Sequence, residues 1–119
     1  MIKTSGASYA LSFDTNWHHF VGVYDGSSAK LYIDGNLVST STTSIPSSLS
    51  ATAGTDFNIG YLQSQYTSGN MDEVAIFDYA LSARQIKQDI YNGTTSGKTA
   101  DLNNISNLTP PVAWYRMGD

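Results

Sequence analysis

The stretch NWHHFVGVYDGSSAKLYIDGNLVST, residues 16–40, carries two Asp-Gly pairs between segments that alternate apolar and polar residues. Asp-Gly is typical of tight hairpin turns, because such turns need positive φ angles and glycine adopts these without strain. The pairs at Asp25-Gly26 and Asp34-Gly35 divide the stretch into three pieces rich in β-forming residues. This pattern predicts a meander of three antiparallel strands.

Strand-like patterns continue on both sides of the meander, where short runs alternate or concentrate apolar residues between turn residues. The loop at 41–55 is rich in Ser, Thr and Ala, and we expect Ile45 and Leu49 to anchor it. The segments that predict further strands are SYALSF (8–13), DFNIGYL (56–62), GNMDEVAIFD (69–78) and VAWYRMGD (112–119).

The period changes after residue 80, where LSARQIKQDIYNG predicts one short helix near residues 82–92. Ser82 is a suitable N-cap, and Gln85 three residues later completes a capping box. Gly93 lies where such a helix stops. One face of the helix would pack on the sheet through Ala83, Ile86 and Ile90.

Residues 94–111 lose this periodicity and end in Pro110-Pro111, which is typical of a linker. We therefore expect three parts: a folded unit at residues 1–93, a linker at residues 94–111, and a last strand-like segment at 112–119.

Composition excludes several classes of function. The chain has a formal net charge of −4 and only six Lys and Arg, so it offers no basic cluster for nucleic acid. It has no cysteine, which excludes disulfides and thiolate metal sites. No apolar run approaches the roughly 18 to 20 residues that span a bilayer, so we expect no membrane insertion. Charged residues make up 13% of the chain, against roughly 25% in ordinary soluble domains, so the surface is built from Ser, Thr, Asn and Gly.

Three pieces in this order resemble the laminin-G-like jelly roll of the concanavalin A-like lectin and glucanase superfamily. They are WHHFVGVYDGSSAKLYIDGNLV, FNIGY and GNMDEVAIFDYALSARQI, within residues 16–92. The resemblance implies an all-β fold, an antiparallel β-sandwich of two sheets with one short helix. It also implies that residues 1–93 are the C-terminal portion of such a sandwich, and that residues 112–119 either close the same sandwich or start a following module. We expect structural roles for these residues of the shared motifs: Trp17, His18, Asp25, Gly26, Tyr32, Asp34, Gly35, Gly60, Asp72 and Glu73.

Neither the histidines nor the paired acids predict a catalytic centre. His18 and His19 are adjacent, so on a strand they would point to opposite faces and could not hold one metal together. Asp72 and Asp78 would share a face about 20 Å apart, whereas glycoside hydrolysis needs carboxyl groups about 5 to 9.5 Å apart. We therefore expect a protein that is not an enzyme, in which Asp72 accepts hydrogen bonds from backbone near the preceding turn.

Two binding sites remain open. Tyr61, Gln63 and Tyr66 could form a surface that stacks against sugar rings, or could simply cover the loop between two strands. Calcium is the one metal with suitable ligands, because it takes carboxylate and carbonyl oxygens from loops. Its candidate ligands are Asp25, Asp34 and Asp56.

The expected function is that of a non-catalytic adhesion or recognition module in a larger extracellular, cell-surface or virion protein. Its loops would bind glycan or protein, and neighbouring modules or identical subunits would cover its strand edges and apolar face. Two alternatives stay open: a purely structural, self-assembling component of a particle or filament, and an accessory domain of a carbohydrate-active enzyme.

Overall fold

The structure is a computed structural model that describes residues 2–4, 7–9, 14–48, 58–62, 64–93 and 100–117, with backbone alone for the first two ranges. These residues form short antiparallel strands and one helix, so the fold is all-β as predicted. The elements are β1 (Ile2–Thr4), β2 (Ala7–Tyr9), β3 (Phe20–Tyr24), β4 (Ala29–Ile33), β5 (Asn36–Ser41), β6 (Tyr61–Leu62), β7 (Gln65–Tyr66), β8 (Val74–Ile76), helix α1 (Gln85–Tyr91) and β9 (Ala113–Tyr115).

The three-stranded meander is confirmed, since β3, β4 and β5 pair in that order as one antiparallel sheet. Both glycines of the Asp-Gly pairs have positive φ, 85° at Gly26 and 73° at Gly35. Asp34 also has positive φ, as a two-residue turn with both central residues left-handed requires. The turns therefore form where the sequence places them.

The central strand β4 is apolar towards both sides of the sheet. Leu31 lies in a small cluster on one face with Ala29, while Tyr32 belongs to the main core on the other face. Alternation in the sequence suggests that Tyr32 points to the polar face, but it is buried. Helix α1 packs on the Tyr32 face, whereas Val38 and Ile45 pack around Leu31 and Ala29 on the other face. The β1–β2 hairpin lies next to β4 and β5.

The capping box before α1 is confirmed. The Gln85 side chain accepts a hydrogen bond from the Ser82 N–H at 2.9 Å, and the Ser82 hydroxyl accepts one from the Gln85 N–H at 3.2 Å. From Gln85 the helix is wound as a π-helix, and the Asn92 N–H bonds to the Lys87 carbonyl five residues back. A Cβ at Gly93 would lie 2.1 Å from the Asp89 carbonyl oxygen, which explains glycine there.

The face that α1 buries differs in part from the predicted one. Ile86 is fully buried and Ile90 packs against the core. Ala83, expected on the same face, is exposed and lies in the short α-helical turn before the π-helix. The wider winding of a π-helix then shifts the positions that face the sheet.

Two predicted strands are shorter than the sequence suggests, because residues with positive φ interrupt them. In the segment 56–62, Gly60 has φ of 80° and pairing begins only at Tyr61, so Ile59 is exposed. In the segment 69–78, Glu73 has φ of 53° and the strand begins at Val74. Leu49 and residues 10–13 and 51–57 lie outside the described residues, whereas Ile45 packs against Leu31 and Ala29.

The C-terminal segment joins the core. Ala100, Leu102 and Leu108 are buried against α1 and the sheet, although their segment was predicted to be a linker. Strand β9 pairs antiparallel with β8, with Trp114 opposite Ala75, and both of these side chains pack on the core. Whether residues 112–119 close this sandwich or begin another module, and where the domain boundaries lie, stay predictions.

Replacing Ile86 by Ala is expected to lower the free energy of unfolding by about 2–5 kcal/mol, because it removes a fully buried side chain from the centre of the core. Urea denaturation followed by circular dichroism measures this loss. The control is Gln88→Ala, an exposed position on the same helix, where a change within about 0.5 kcal/mol is expected. Equal losses in the two variants would contradict the assigned packing of α1.

Asp25 stabilises the β3–β4 turn through a dense set of hydrogen bonds. Its carboxylate accepts bonds from Lys30 Nζ at 2.8 Å, from the Ser28 hydroxyl at 2.8 Å and from the N–H groups of Ser27 and Ser28. These donors, led by Lys30, hold the pKa of Asp25 far below its usual range. A depressed folded-state pKa contributes stability above the unfolded pKa near 3.8, and this contribution is lost as the pH falls below it.

Asp25→Asn is therefore expected to destabilise the protein at pH 7, because the amide cannot bind Lys30 and the turn as the carboxylate does. The difference from the unmodified protein should shrink as the pH is lowered from 5 to 3. Urea denaturation at several pH values gives this profile, with the exposed Asp78→Asn as control. A difference that stays constant from pH 7 to pH 3 would show that the Asp25 charge does not stabilise the turn.

Candidate functional site

A polar cleft of about 350 Å³ lies between two loops, residues 14–17 before β3 and residues 67–70 before β8. One wall presents Trp17, whose side chain is 69% exposed, together with small polar side chains. The opposite wall is Thr67, Ser68, Gly69 and Asn70. Among the lining residues Asp14 is the one acid, so the cleft offers a flat apolar ring surrounded by hydroxyl, amide and carboxylate groups.

The wall that carries Trp17 is held by His18. The His18 Nδ1 lies 2.8 Å from Asp34 Oδ2, and Nε2 lies 3.0 Å from Asp14 Oδ1. Asp14 Oδ1 also accepts the Asn16 N–H at 2.9 Å, which closes a tight turn at the start of this wall. His18 thus links the exposed loop to the β4–β5 turn.

Asp34 anchors the same wall from the sheet side. Its Oδ1 accepts the His19 N–H at 2.9 Å, and its own N–H bonds to the His19 carbonyl at 2.9 Å. Partial burial raises the pKa of Asp34, but the hydrogen bonds from His18 and the His19 N–H outweigh this and leave it below the usual value. The pKa of Asp14 is lowered too, by the Asn16 N–H and by His18, so both carboxylates are ionised at neutral pH.

The two histidines have separate roles, and neither pairs with the other. The ring of His19 stacks on Tyr91 with centroids 5.8 Å apart, and burial lowers its pKa. Tyr91 in turn packs against Gly35, where a Cβ would meet its ring at 3.1 Å. Among the described residues, the buried Nδ1 of His19 has no hydrogen-bond partner.

Trp17 does not have the structural role that we expected. With 69% of its side chain exposed, it lies outside both core clusters of the described residues. It precedes β3 by three residues and follows the Asp14 turn, so the backbone carries it away from the sheet. Its position on the cleft makes it a surface residue.

The predicted aromatic site lies on the β6–β7 hairpin. Tyr61 and Tyr66 face each other across the strand pair with centroids 4.8 Å apart, and they are 41% and 82% exposed. Gly60 enables the turn before this hairpin, and its carbonyl accepts the Thr67 N–H at 2.8 Å. Gln63 lies outside the described residues, and neither tyrosine lines the cleft. A binding role for this pair stays a prediction.

Two of the three predicted calcium ligands, Asp25 and Asp34, lie apart in the structure. Asp25 and Asp34 belong to the turns at opposite ends of β4, about 16 Å apart along a strand of five residues, and each carboxylate is engaged in its own turn. Asp56 lies outside the described residues. Within the described part of the chain, no group of three or more His, Asp or Glu is arranged to hold a metal ion.

Asp72 and Glu73 bind the C-terminal segment that contains β9. Glu73 Oε2 accepts the Trp114 indole N–H at 2.7 Å, and Glu73 Oε1 lies 3.3 Å from Arg116 Nε. Asp72 accepts the N–H of Met117 at 3.1 Å and that of Glu73 at 2.8 Å. The backbone donors thus come from Glu73 itself and from the distant C-terminal segment, not from the preceding turn as we predicted.

Several residues of these sites carried no signal in the sequence. Asp14 and the loop 67–70 lie in segments without periodicity, and they meet only because β3 and the β6–β7 hairpin bring them together. Arg116 stacks 4.7 Å from the centre of the Trp114 ring, a contact that depends on the pairing of β8 with β9. The neighbours of Trp17 in the sequence, Asp14, Thr15 and Asn16, are all polar, and this was the one local signal that could have pointed to the cleft.

None of the helical segments in the described residues is long and apolar enough to cross a membrane. No curated protein matches this sequence. The chain is similar in structure to residues 221–444 of an S-layer domain-containing protein from Clostridium thermocellum ATCC 27405, with a TM-score of 0.54 and 28% sequence identity. That similarity covers 68% of this chain and 42% of the solved one, so this chain spans less than half of the solved chain's length.

A family model described as the concanavalin A-like lectin/glucanases superfamily matches residues 4–87, which is most of the chain. The matched range contains the meander, the β6–β7 hairpin, β8 and the start of α1. The chain therefore belongs to the concanavalin A-like lectin/glucanases superfamily, as a laminin-G-like jelly-roll domain.

Proposed function

We propose that this domain is a non-catalytic recognition module of a larger surface or virion protein, and that the Trp17 cleft binds a glycan. The observation that carries the proposal is the exposed indole of Trp17 on the wall of a cleft otherwise lined by polar groups. The indole combines a large apolar ring with one polar N–H, so it can contact a ligand that presents both apolar and polar groups.

The chemistry of the cleft suits a sugar. One face of a pyranose ring presents C–H groups that pack on an aromatic ring, while its hydroxyls need donors and acceptors around the rim. Thr67, Ser68, Asn70 and Asn16 supply hydroxyl and amide groups, and Asp14 supplies a carboxylate acceptor. At about 350 Å³ the cleft is at the lower end of the range of ligand sites, with room for one or two sugar residues.

The placement of the acids supports a non-catalytic role. Glycoside hydrolysis requires two carboxyl groups on either side of the bond to be cleaved, and Asp14 is the one acid among the described residues that line the cleft. Asp72 and Glu73, the conspicuous acidic pair of the sequence, bind Trp114, Arg116 and Met117 instead.

A surface location is supported by two independent features. The solved protein similar to this chain is named as an S-layer domain-containing protein. The low share of charged residues, with a surface of Ser, Thr, Asn and Gly, is common in extracellular and viral β-proteins. We therefore assign the module to the outside of a cell or a virion.

The test is a glycan array probed with a multivalent form of the domain, followed by calorimetry on any glycan that binds. Trp17→Ala is expected to weaken binding at least about tenfold, equivalent to ~1.4 kcal/mol, because it removes the stacking surface. The control Tyr115→Ala removes an aromatic ring of similar exposure that does not line the cleft, and should leave the affinity unchanged.

Two outcomes would overturn this assignment. Loss of binding on Tyr66→Ala but not on Trp17→Ala would move the site to the β6–β7 hairpin. A domain that binds no glycan even at high avidity would favour a structural role.

That structural role is the second candidate, in which identical copies assemble through the β8–β9 sheet. The inner face of this sheet carries Trp114 and Ala75, yet its outer face is also apolar and borders an open groove of about 370 Å³. In the described residues no further strand pairs with either edge of this sheet. The groove is lined by Ile59, Met71, Val74, Ile76, Tyr115 and Met117.

A second copy is a suitable occupant, because the described side chains that line the groove are all apolar or aromatic. Of the charged groups beside it, Glu73 and Arg116 pair with each other at 3.3 Å, and the Asp72 carboxylate accepts the Met117 N–H. Two such faces could pack with their edges antiparallel, as in a symmetric dimer. Six side chains form a small contact, so the association is weaker than that of a standard interface.

Met117→Asp is expected to abolish concentration-dependent dimerisation, since it places a charge in the apolar groove where desolvation would be costly. Sedimentation velocity over a range of concentrations measures this effect. Leu37→Asp, at a similarly exposed apolar residue on β5, is the matched control and should still dimerise. A domain that remains monomeric at millimolar concentration would exclude this candidate.

A further inference from the structure

We propose that His18 is a pH-sensitive latch: its imidazolium form holds the 14–17 wall of the cleft to the β4–β5 turn, and loss of one proton releases that wall. The predicted effect of the latch on ligand affinity rests on the proposed function. The latch itself is inferred from contacts within the protein and does not depend on that function.

The two ring nitrogens of His18 face two carboxylates. Nδ1 lies 2.8 Å from Asp34 Oδ2, and Nε2 lies 3.0 Å from Asp14 Oδ1. An ionised carboxylate can only accept hydrogen bonds, so both nitrogens must donate. A neutral imidazole carries one N–H, whereas the imidazolium carries two, so the arrangement seen here requires the protonated ring.

The two contacts are unequal, and this decides which one is lost on deprotonation. Asp34 lies in the hairpin turn and is also fixed by two backbone hydrogen bonds with His19. Asp14 is more exposed, and apart from His18 it interacts with the nearby Asn16, through the N–H and the side chain of that residue. The neutral ring therefore keeps its Nδ1–H on Asp34, and the Nε2 lone pair then faces the Asp14 carboxylate without a proton between them.

The charged groups facing His18 all favour its protonation. Asp34 approaches from the β4–β5 turn and Asp14 from the loop before β3, and the Phe20 ring of β3 lies 6.3 Å away without charge. His19 follows directly in the chain and has its own ring turned to Tyr91. The hydrogen bonds to Asp34 and then to Asp14 raise the pKa of His18 above 6.5.

The raised pKa of His18 determines how the stability of the latch changes with pH. A histidine whose folded-state pKa is raised contributes its stabilisation fully below the unfolded value near 6.5 and loses it as the pH rises through the folded pKa. The latch is therefore closed below the unfolded-state pKa and opens as the pH rises through the raised pKa of His18. Because the released wall carries Trp17, ligand affinity should fall over the same range, and a bound ligand should raise the pKa of His18.

The latch is tested on the unliganded domain by NMR, with amide-exchange protection of residues 15–17 measured from pH 5.5 to pH 9. Protection should fall roughly two- to fivefold as the His18 ring deprotonates, which is the range expected for an exposed ion pair. Protection of residues 67–70, on the wall that His18 does not touch, should stay constant and serves as the internal control.

Asp14→Asn provides the matched variant, because the amide keeps the shape of Asp14 and can meet Nε2 in either protonation state. In this variant His18 should still titrate, with a lower pKa, while the protection of residues 15–17 no longer changes with pH. The same pH step in Asp14→Asn, or constant protection in the unmodified domain while His18 titrates, would overturn the proposal. A working latch in a domain that binds no glycan would instead refute the proposed function alone.

Discussion

The carboxylate of Asp34 is the contact on which the arrangement of the cleft depends. It accepts hydrogen bonds from the His18 ring and from the His19 N–H, while its own N–H binds the His19 carbonyl. These bonds fix the chain just before β3 against the turn after β4, and so set the register in which Phe20 lies opposite Ile33. The loop with Trp17, which lies directly before this point, is thus held by one residue of an Asp-Gly turn.

The two Asp-Gly turns look alike in the sequence but are used differently. Asp25 directs its carboxylate into its own turn, towards Ser27, Ser28 and Lys30, and so stabilises one hairpin. Asp34 directs its carboxylate across the sheet edge to a different segment of chain. The chain has few charged residues, and several of its acids connect separate segments of the chain. Asp72 and Glu73 do this for the C-terminal segment, where they accept the Met117 N–H and the Trp114 indole N–H.

What the sequence predicted correctly depends on short-range interactions. The meander, its turns and the capping box of Ser82 and Gln85 each involve residues only a few positions apart, and all of them formed as expected. The family resemblance added the sandwich class, since a combination of motifs identifies a fold even where no single motif would. Local rules of turn and helix chemistry were sufficient to predict the meander, its turns and the start of the helix.

The remaining features depend on contacts between distant segments. The exposure of Trp17 and the meeting of loops 14–17 and 67–70 follow from how the hairpins pack, which no periodicity encodes. The burial of Leu102 and Leu108 could not be read from a segment without alternation. Similarly, the pairing of Glu73 with Trp114 links positions 41 residues apart.

The central claim is that ligand binding occurs in the Trp17 cleft. Mapping of NMR chemical shifts on the isotope-labelled domain, during titration with a glycan selected by array screening, tests it most directly. The account predicts that the largest shifts appear at the Trp17 indole and in the backbone of residues 14–17 and 67–70. Shifts confined to the β6–β7 hairpin or to the β8–β9 sheet, with the Trp17 indole unchanged, would contradict it.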